Sequence, residues 1–185
     1  MKIAFTGAHS TGKTTLLHEF SRIYDGKVVS ITEVARTIIS NGYPLGMDAN
    51  VDSYINYVNE QLKSEFLYKN VQYDILISDR TILDTVTYAK VNRRLPRPFI
   101  PDSLIEMLEN VWLLEKENYD LYVYFPIEFG LVNDGVRPED LEYQKDVDAM
   151  ALRLLEQHSV NFVRITGNVA ARVEQLSKIV KKIGP

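Results

Sequence analysis

Near the N-terminus the run Gly7-Ala8-His9-Ser10-Thr11-Gly12-Lys13-Thr14 has the spacing G-x-x-x-x-G-K-[ST], and each fixed position has a chemical reason. Gly7 and Gly12 allow the backbone to curl tightly around an anion, so that successive amides and the start of a following helix present positive potential to it. Lys13 would reach the outer phosphates of a triphosphate, and the Thr14 hydroxyl would ligate Mg²⁺. His9, Ser10, Thr11 and Thr15 complete the same turn. The chemistry implied is capture of a nucleoside triphosphate with its magnesium ion, in the form of ATP.

Moving a phosphoryl group from that triphosphate needs a carboxylate near the acceptor and cations around the transferred charge. Glu33, in Thr32-Glu33-Val34-Ala35-Arg36, would take or orient the acceptor proton, or else sit at a helix start where the macrodipole favours it. Arg36 would hold acceptor or γ-phosphate, or simply pair with Glu33. Asp79 suits a magnesium ligand or a base for the acceptor, with a plain helix cap as the alternative. Arg80 would touch acceptor or transferred phosphate. Asp84 and Tyr88 would line the acceptor pocket, although core packing serves Tyr88 equally well. Arg137, in Asn133-Asp134-Gly135-Val136-Arg137, would swing in on a closing segment spanning about 126–140, or remain a surface arginine. Gln61 and Glu65, four apart on one helix face, would read the acceptor by hydrogen bonds or face solvent. Asn168 would contact the adenine or cap a helix.

The elements around these residues alternate. Apolar runs predict strands at 1–6, 28–32, 73–78, 121–125 and 162–166, and helical spacing predicts helices at 13 to about 24, 33–39, 52–68, 82 to about 90, 103–117, 139–158 and 169 to about 182. Segments 44–48 and 92–98 read as loops, the latter a mobile surface loop, with Asp102 or Ser103 as the cap of the helix after it. Strands alternating with helices through short turns imply a parallel sheet with right-handed crossovers and helices on both faces. Ligands in such sheets lie at the carboxyl ends of the strands. Glu33 and Asp79 end predicted strands two and three, and the glycine-rich turn ends strand one.

Bulk properties narrow the classes. A chain of 185 residues with 45% hydrophobic content suits a single domain. A formal charge of -4 argues against a surface that coats polyanions. Without cysteine no thiolate metal site can form, and His9, His18 and His158 are too scattered for a zinc set. The absence of a basic leader with a long apolar stretch leads us to expect a cytoplasmic protein with no membrane association. Oligomeric state is open.

Taken together, Gly7 to Thr15, Glu33-Val34-Ala35-Arg36, Gln61 with Glu65, Ser78-Asp79-Arg80 with Asp84 and Tyr88, and Asn133 to Arg137 resemble a small P-loop kinase-like family. It includes ribosylnicotinamide kinase domains and related AAA-type ATP-binding proteins common in bacteria and phages. More distantly the chain is similar to deoxynucleoside and thymidylate kinases. The resemblance implies a three-layer P-loop NTPase fold on a five-stranded parallel sheet, with Glu33 as base and Gln61 reading a nucleobase. It implies an ATP-dependent kinase acting on a nucleoside, nucleotide or related small acceptor. Those kinases carry Glu-Arg-Ser where this chain has Asp79-Arg80-Thr81. Two alternatives accompany that reading. One is a phage-type kinase acting on a hydroxymethylated base in DNA, invited by Arg93, Arg94 and Arg97. The other is an ATP-binding regulatory switch that transfers nothing.

Overall fold

The computed structural model describes residues 1–128 and 140–184. Within them, strands β1 (Lys2–Thr6), β2 (Val28–Ile31), β3 (Ile75–Asp79), β4 (Leu121–Tyr124) and β5 (Phe162–Arg164) pair in parallel in the order β2-β3-β1-β4-β5. The central strands are buried on both faces, which is why their sequences are continuous apolar runs and not alternating ones. Register decides where the strands finish. Phe5 pairs with Asp79 and Thr6 with Tyr124, so β1, β3 and β4 end level at one edge of the sheet.

Among the described residues, seven helices cover the faces: α1 (Lys13–Ile23), α2 (Val34–Ser40), α3 (Val51–Leu67), α4 (Ile82–Asn92), α5 (Asp102–Glu115), α6 (Leu141–Gln157) and α7 (Val169–Ile183). Successive strand side chains point to opposite faces. Ile3 and Phe5 accordingly join Leu16, Phe20, Leu176 and Val180 of α1 and α7. Ala4 joins Val58, Leu83, Val86, Trp112 and Val147 of α3 to α6 on the other face. Phe20 is wholly buried, and truncating such a residue to alanine costs about 3–5 kcal/mol. The parallel five-stranded α/β fold read from the sequence is therefore the fold observed.

Several boundaries need correction. The expected loop at 44–48 contains a single 3₁₀ turn, Gly46–Asp48. Asn92, expected in a mobile loop, is the last residue of α4 and fully buried. Its amide donates to Gly46 O and to the Tyr54 hydroxyl, and its carbonyl accepts from the Tyr143 hydroxyl. Neither Asp102 nor Ser103 caps α5; Pro101 stands there, and Asp102 receives a forked pair of hydrogen bonds from Arg93. No helix among the described residues is long and apolar enough to cross a membrane.

Candidate active site

The phosphate loop runs from the end of β1 into α1. Gly7 has φ of +131°, and a Cβ there would lie 2.5 Å from the Phe125 carbonyl oxygen, so the backbone just beyond β4 forces glycine at this position. Gly12 has φ of +85° and immediately precedes α1, whose first-turn amides open toward the loop. Lys13 is buried beneath the loop, with its ammonium donating to the carbonyls of Gly7 and Ala8 and to Thr11 Oγ1. Ser10 is also left-handed, at φ of +59°, and its hydroxyl is buried with no hydrogen-bond partner among the described residues. A curled loop with an ammonium beneath it and an unsatisfied hydroxyl has the geometry of an anion cradle.

At the end of β3, the Thr14 hydroxyl donates to Asp79 Oδ2. The expected pair of magnesium ligands thus meets across the β1–β3 boundary. Among the described residues no group of three or more His, Asp or Glu side chains converges on a metal position, so an ion here would take most of its oxygens from phosphate and water. That is the habit of Mg²⁺.

Arg80 follows at φ of +87°, a left-handed conformation uncommon for a residue with a side chain. Two bonds hold it there: its amide donates to Phe5 O, and its carbonyl accepts from Ser78 Oγ at 2.6 Å. The turned backbone directs the guanidinium to Asp84, at 3.4 Å, and over the Tyr88 ring, at 5.4 Å from its centroid. Burial works against the charge on Arg80, but Tyr88, Asp84, Tyr57 and Asp79 outweigh it and raise the guanidinium pKa further. Burial likewise pushes the Asp84 pKa up, against the pull of Arg80 and Lys13. The cap of α4 is Thr81, whose side chain accepts from Leu83 N while Asp84 accepts from Thr81 N in return. Asp79 is therefore not needed as a cap, and its carboxylate is left to the Thr14 side.

These groups share one cleft of about 750 Å³ at the carboxyl edge of the sheet. His9, Ser10, Thr11, Gly12, Lys13, Thr14 and Thr15 form its floor; Glu33, Arg36, Asp79, Arg80, Asp84 and Tyr88 form one wall. Glu33 and Arg36 are exposed at 62% and 80% and pair at 3.1 Å. The volume lies within the range of small-ligand sites.

Residues 2–172 match the model of a family described as AAA domain. The chain belongs to this AAA domain family. No curated protein matches it. Among solved structures, a NadR protein in complex with NR is similar to this AAA domain chain with a TM-score of 0.75 and 19% identity, over 97% of this chain and 50% of that one. Deoxyadenosine kinase from M. mycoides with bound dATP has a TM-score of 0.69 and 19% identity, over 98% of this chain and all of that one. The same kinase with dCMP and a flexible dCDP gives 0.67 and 18%, again over 98% and 100%. At such identities the likeness is one of fold: a P-loop, kinase-like α/β fold similar to that of nucleoside kinases.

Four of the expected site residues fall elsewhere among the described ones. Gly7 lies beneath the loop with its carbonyl facing Lys13. Gln61 is buried away from the cleft and donates to Glu65 Oε1 and Ser78 Oγ. Glu65 is engaged by Lys2 and the Tyr119 hydroxyl, so this pair braces α3 against β3 instead of facing an acceptor. Asn168 caps α7, accepting from Ala171 N at 2.9 Å. Arg137 and positions 129–139 of the expected closing segment lie outside the described residues.

The AAA domain chain also has a site residue that no sequence pattern singled out. Arg172 of α7 is 2% exposed and lines the cleft. It donates to Gly167 O at 2.8 Å, to Thr11 O at 2.5 Å and to Glu128 Oε2 at 2.7 Å, with Phe125 under its guanidinium. Glu128 meanwhile accepts from Gly167 N. Burial works to raise the Glu128 pKa, but the bonds from Arg172 and Gly167 prevail and lower it.

Proposed function

We propose that this protein transfers the γ-phosphate of ATP to a hydroxyl or phosphate of a nucleoside, nucleotide or related small acceptor. One observation carries the reading: a single cleft has the phosphate loop on its floor and Glu33, Arg36, Asp79, Arg80 and Asp84 on one wall. A hydrolytic switch needs a cradle for the triphosphate; it does not need further carboxylates and guanidiniums gathered in the same cleft. The similar solved structures are of proteins with small nucleosides and nucleotides bound, namely NR, dATP, dCMP and dCDP. None of Arg93, Arg94 and Arg97 lines the cleft, and Arg93 is held by Asp102, so nothing favours a polymeric acceptor. We read the whole chain as one catalytic unit.

In this reading the amides from Ala8 to Thr14 hold the phosphates and Lys13 turns from the loop carbonyls to the phosphate oxygens. Thr14 and Asp79 would hold Mg²⁺, which when bound would neutralise charge on the phosphate oxygens. With Asp79 on the Thr14 side, we take Glu33 as the base. The acceptor oxygen gives its proton to the Glu33 carboxylate as its bond to γ-phosphorus forms; the bond to the β–γ bridging oxygen breaks and ADP leaves. Arg80, Arg36 and, from outside the described residues, Arg137 balance charge on the transferred group. The base of ATP lies on the opposite side of the loop, by Val169 and Arg172.

The test is incubation with ATP and Mg²⁺ and a panel of nucleosides, nucleotides and hydroxymethylated DNA, read by product mass. ADP should accumulate only with a small acceptor, which gains one phosphate. ADP release at full rate without any acceptor would overturn the proposal.

A further inference from the structure

His9 is the one ionisable side chain in the phosphate loop apart from Lys13, and it is buried at 2% exposure. Its Nδ1 lies 3.2 Å from the Tyr88 hydroxyl. The ring of the same tyrosine carries the Arg80 guanidinium on its face at 5.4 Å. From the other side, Gln144 of α6 donates to His9 O at 2.7 Å, and the Tyr143 ring stands 6.2 Å from His9 and 6.1 Å from Tyr88. One aromatic side chain therefore touches the triphosphate floor with its hydroxyl and the acceptor-side cation with its ring.

We propose that Tyr88 is a positioning residue that couples occupancy of the phosphate loop to the placement of Arg80. The coupling rests on the proposed role of the floor as the triphosphate site, and adds a device to it. Arg80 also reaches the loop through its chain neighbour Asp79, which accepts from Thr14. Its partner Asp84 belongs to the α4 cap, and its backbone is fixed by β1 and Ser78. A triphosphate that settles on the His9 amide displaces the His9 ring or tightens it; either shift is passed to the Tyr88 hydroxyl and, through a rigid ring with few torsions, to the guanidinium on its face. The coupling runs in both directions, so an acceptor that fixes Arg80 also favours the loop conformation that holds ATP. Such a link favours productive pairing of the two substrates over idle hydrolysis.

Two substitutions separate the parts. Tyr88→Phe removes the hydroxyl contact to His9 and keeps the ring under Arg80; Tyr88→Leu removes both. The probe is AMP-PNP with Mg²⁺, and the readout is amide hydrogen exchange across 80–88, measured without acceptor. In the wild type, AMP-PNP should slow exchange in this segment about fivefold or more, a typical size for coupling between sites. Tyr88→Phe should still bind AMP-PNP and lose most of that transmitted protection, and His9→Ala combined with Tyr88→Phe should lose no more than either alone. In turnover, Tyr88→Phe should raise the acceptor KM measured at saturating ATP several-fold while kcat changes less. Tyr88→Leu should lower both kcat and affinity.

Equal protection of 80–88 in wild type and Tyr88→Phe would overturn the coupling alone, because AMP-PNP would then be bound and signalling by another route. Wild type that binds AMP-PNP without protecting the segment would overturn it as well. Failure of the wild type to bind AMP-PNP would instead remove the triphosphate site, and the coupling with it.

Discussion

Replacing Arg172 by methionine tests what holds the phosphate loop in place. The side chain is 2% exposed and makes three charge-assisted bonds, to Thr11 O, Gly167 O and Glu128 Oε2. Hydrogen bonds to charged groups contribute about 1.5–3 kcal/mol each when their partners are buried. The Glu128 side chain is 29% exposed, so water replaces much of that contact and its share falls to about 0–1 kcal/mol. The two carbonyl bonds dominate. Methionine recovers some packing on Phe125, which leaves a net loss of about 3 kcal/mol, or a melting temperature lower by about 6–12 °C for a chain of this size. Glu128→Gln keeps an acceptor and loses only the outer charge, so it should cost less than about 1 kcal/mol. Differential scanning calorimetry of the two variants decides the matter. Arg172→Met melting within about 2 °C of wild type, or Glu128→Gln costing as much as Arg172→Met, would refute the assignment of loop anchoring to the two carbonyls. The variant should also weaken binding of AMP-PNP, measured by calorimetric titration, because Thr11 O would be left without its guanidinium.

Three further outcomes are expected. Glu33→Gln should lower kcat about 10²-fold or more with little change in the magnesium requirement, whereas Asp79→Asn should raise the Mg²⁺ concentration for half-maximal rate; steady-state titration of the metal separates them. Gly7→Ala should fold poorly or melt far below wild type in thermal denaturation, since its Cβ would sit 2.5 Å from a backbone oxygen. Asp84→Asn leaves either the Arg80 guanidinium or Thr81 N without its acceptor, so it should melt below wild type at neutral pH. Burial raises the folded pKa of Asp84, so its protonated form stabilises most below the ordinary aspartate range, and that contribution is lost as pH rises through the folded value. The asparagine variant should flatten this part of the stability profile, followed by melting from pH 4 to 8, while turnover falls because Arg80 loses its partner; these pH limits span roughly the region in which buried carboxylates titrate.

The parts that were legible in the sequence share one property: their signal is local. The phosphate loop is a contiguous run, and Glu33 and Asp79 could be placed because a residue that ends a parallel strand must emerge at the ligand edge. Gln61 shows where locality fails. It shares a helix stripe with Tyr54, Tyr57 and Val58, all buried, and that stripe turns it into the sheet toward Ser78; the four-residue spacing to Glu65 described the face correctly but not what the face meets. Arg172 escaped notice for the opposite reason. It stands at the head of the buried series Arg172, Leu176, Val180 on α7, so an arginine on an apolar stripe was the available sign of a buried anchor. Its partners, Thr11 and Glu128, are remote in sequence, and no local pattern could have named them.

On the proposed reading, the order of strands lets one cleft serve two substrates. β1 is central, and its loop would hold the phosphates. β2 and β3 lie on one side of it, so Glu33, Arg36, Asp79, Arg80 and Asp84 all arrive from that side; β4 and β5 lie on the other and supply Glu128, Val169 and Arg172. On that reading a triphosphate laid along the loop would have its base toward β5 and its terminal phosphate toward β3. Thr14 and Asp79 meet at the β1–β3 boundary, which is where charge would build as the phosphoryl group leaves. Donor and acceptor would then need no separate domains, because the order of the five strands would set them end to end.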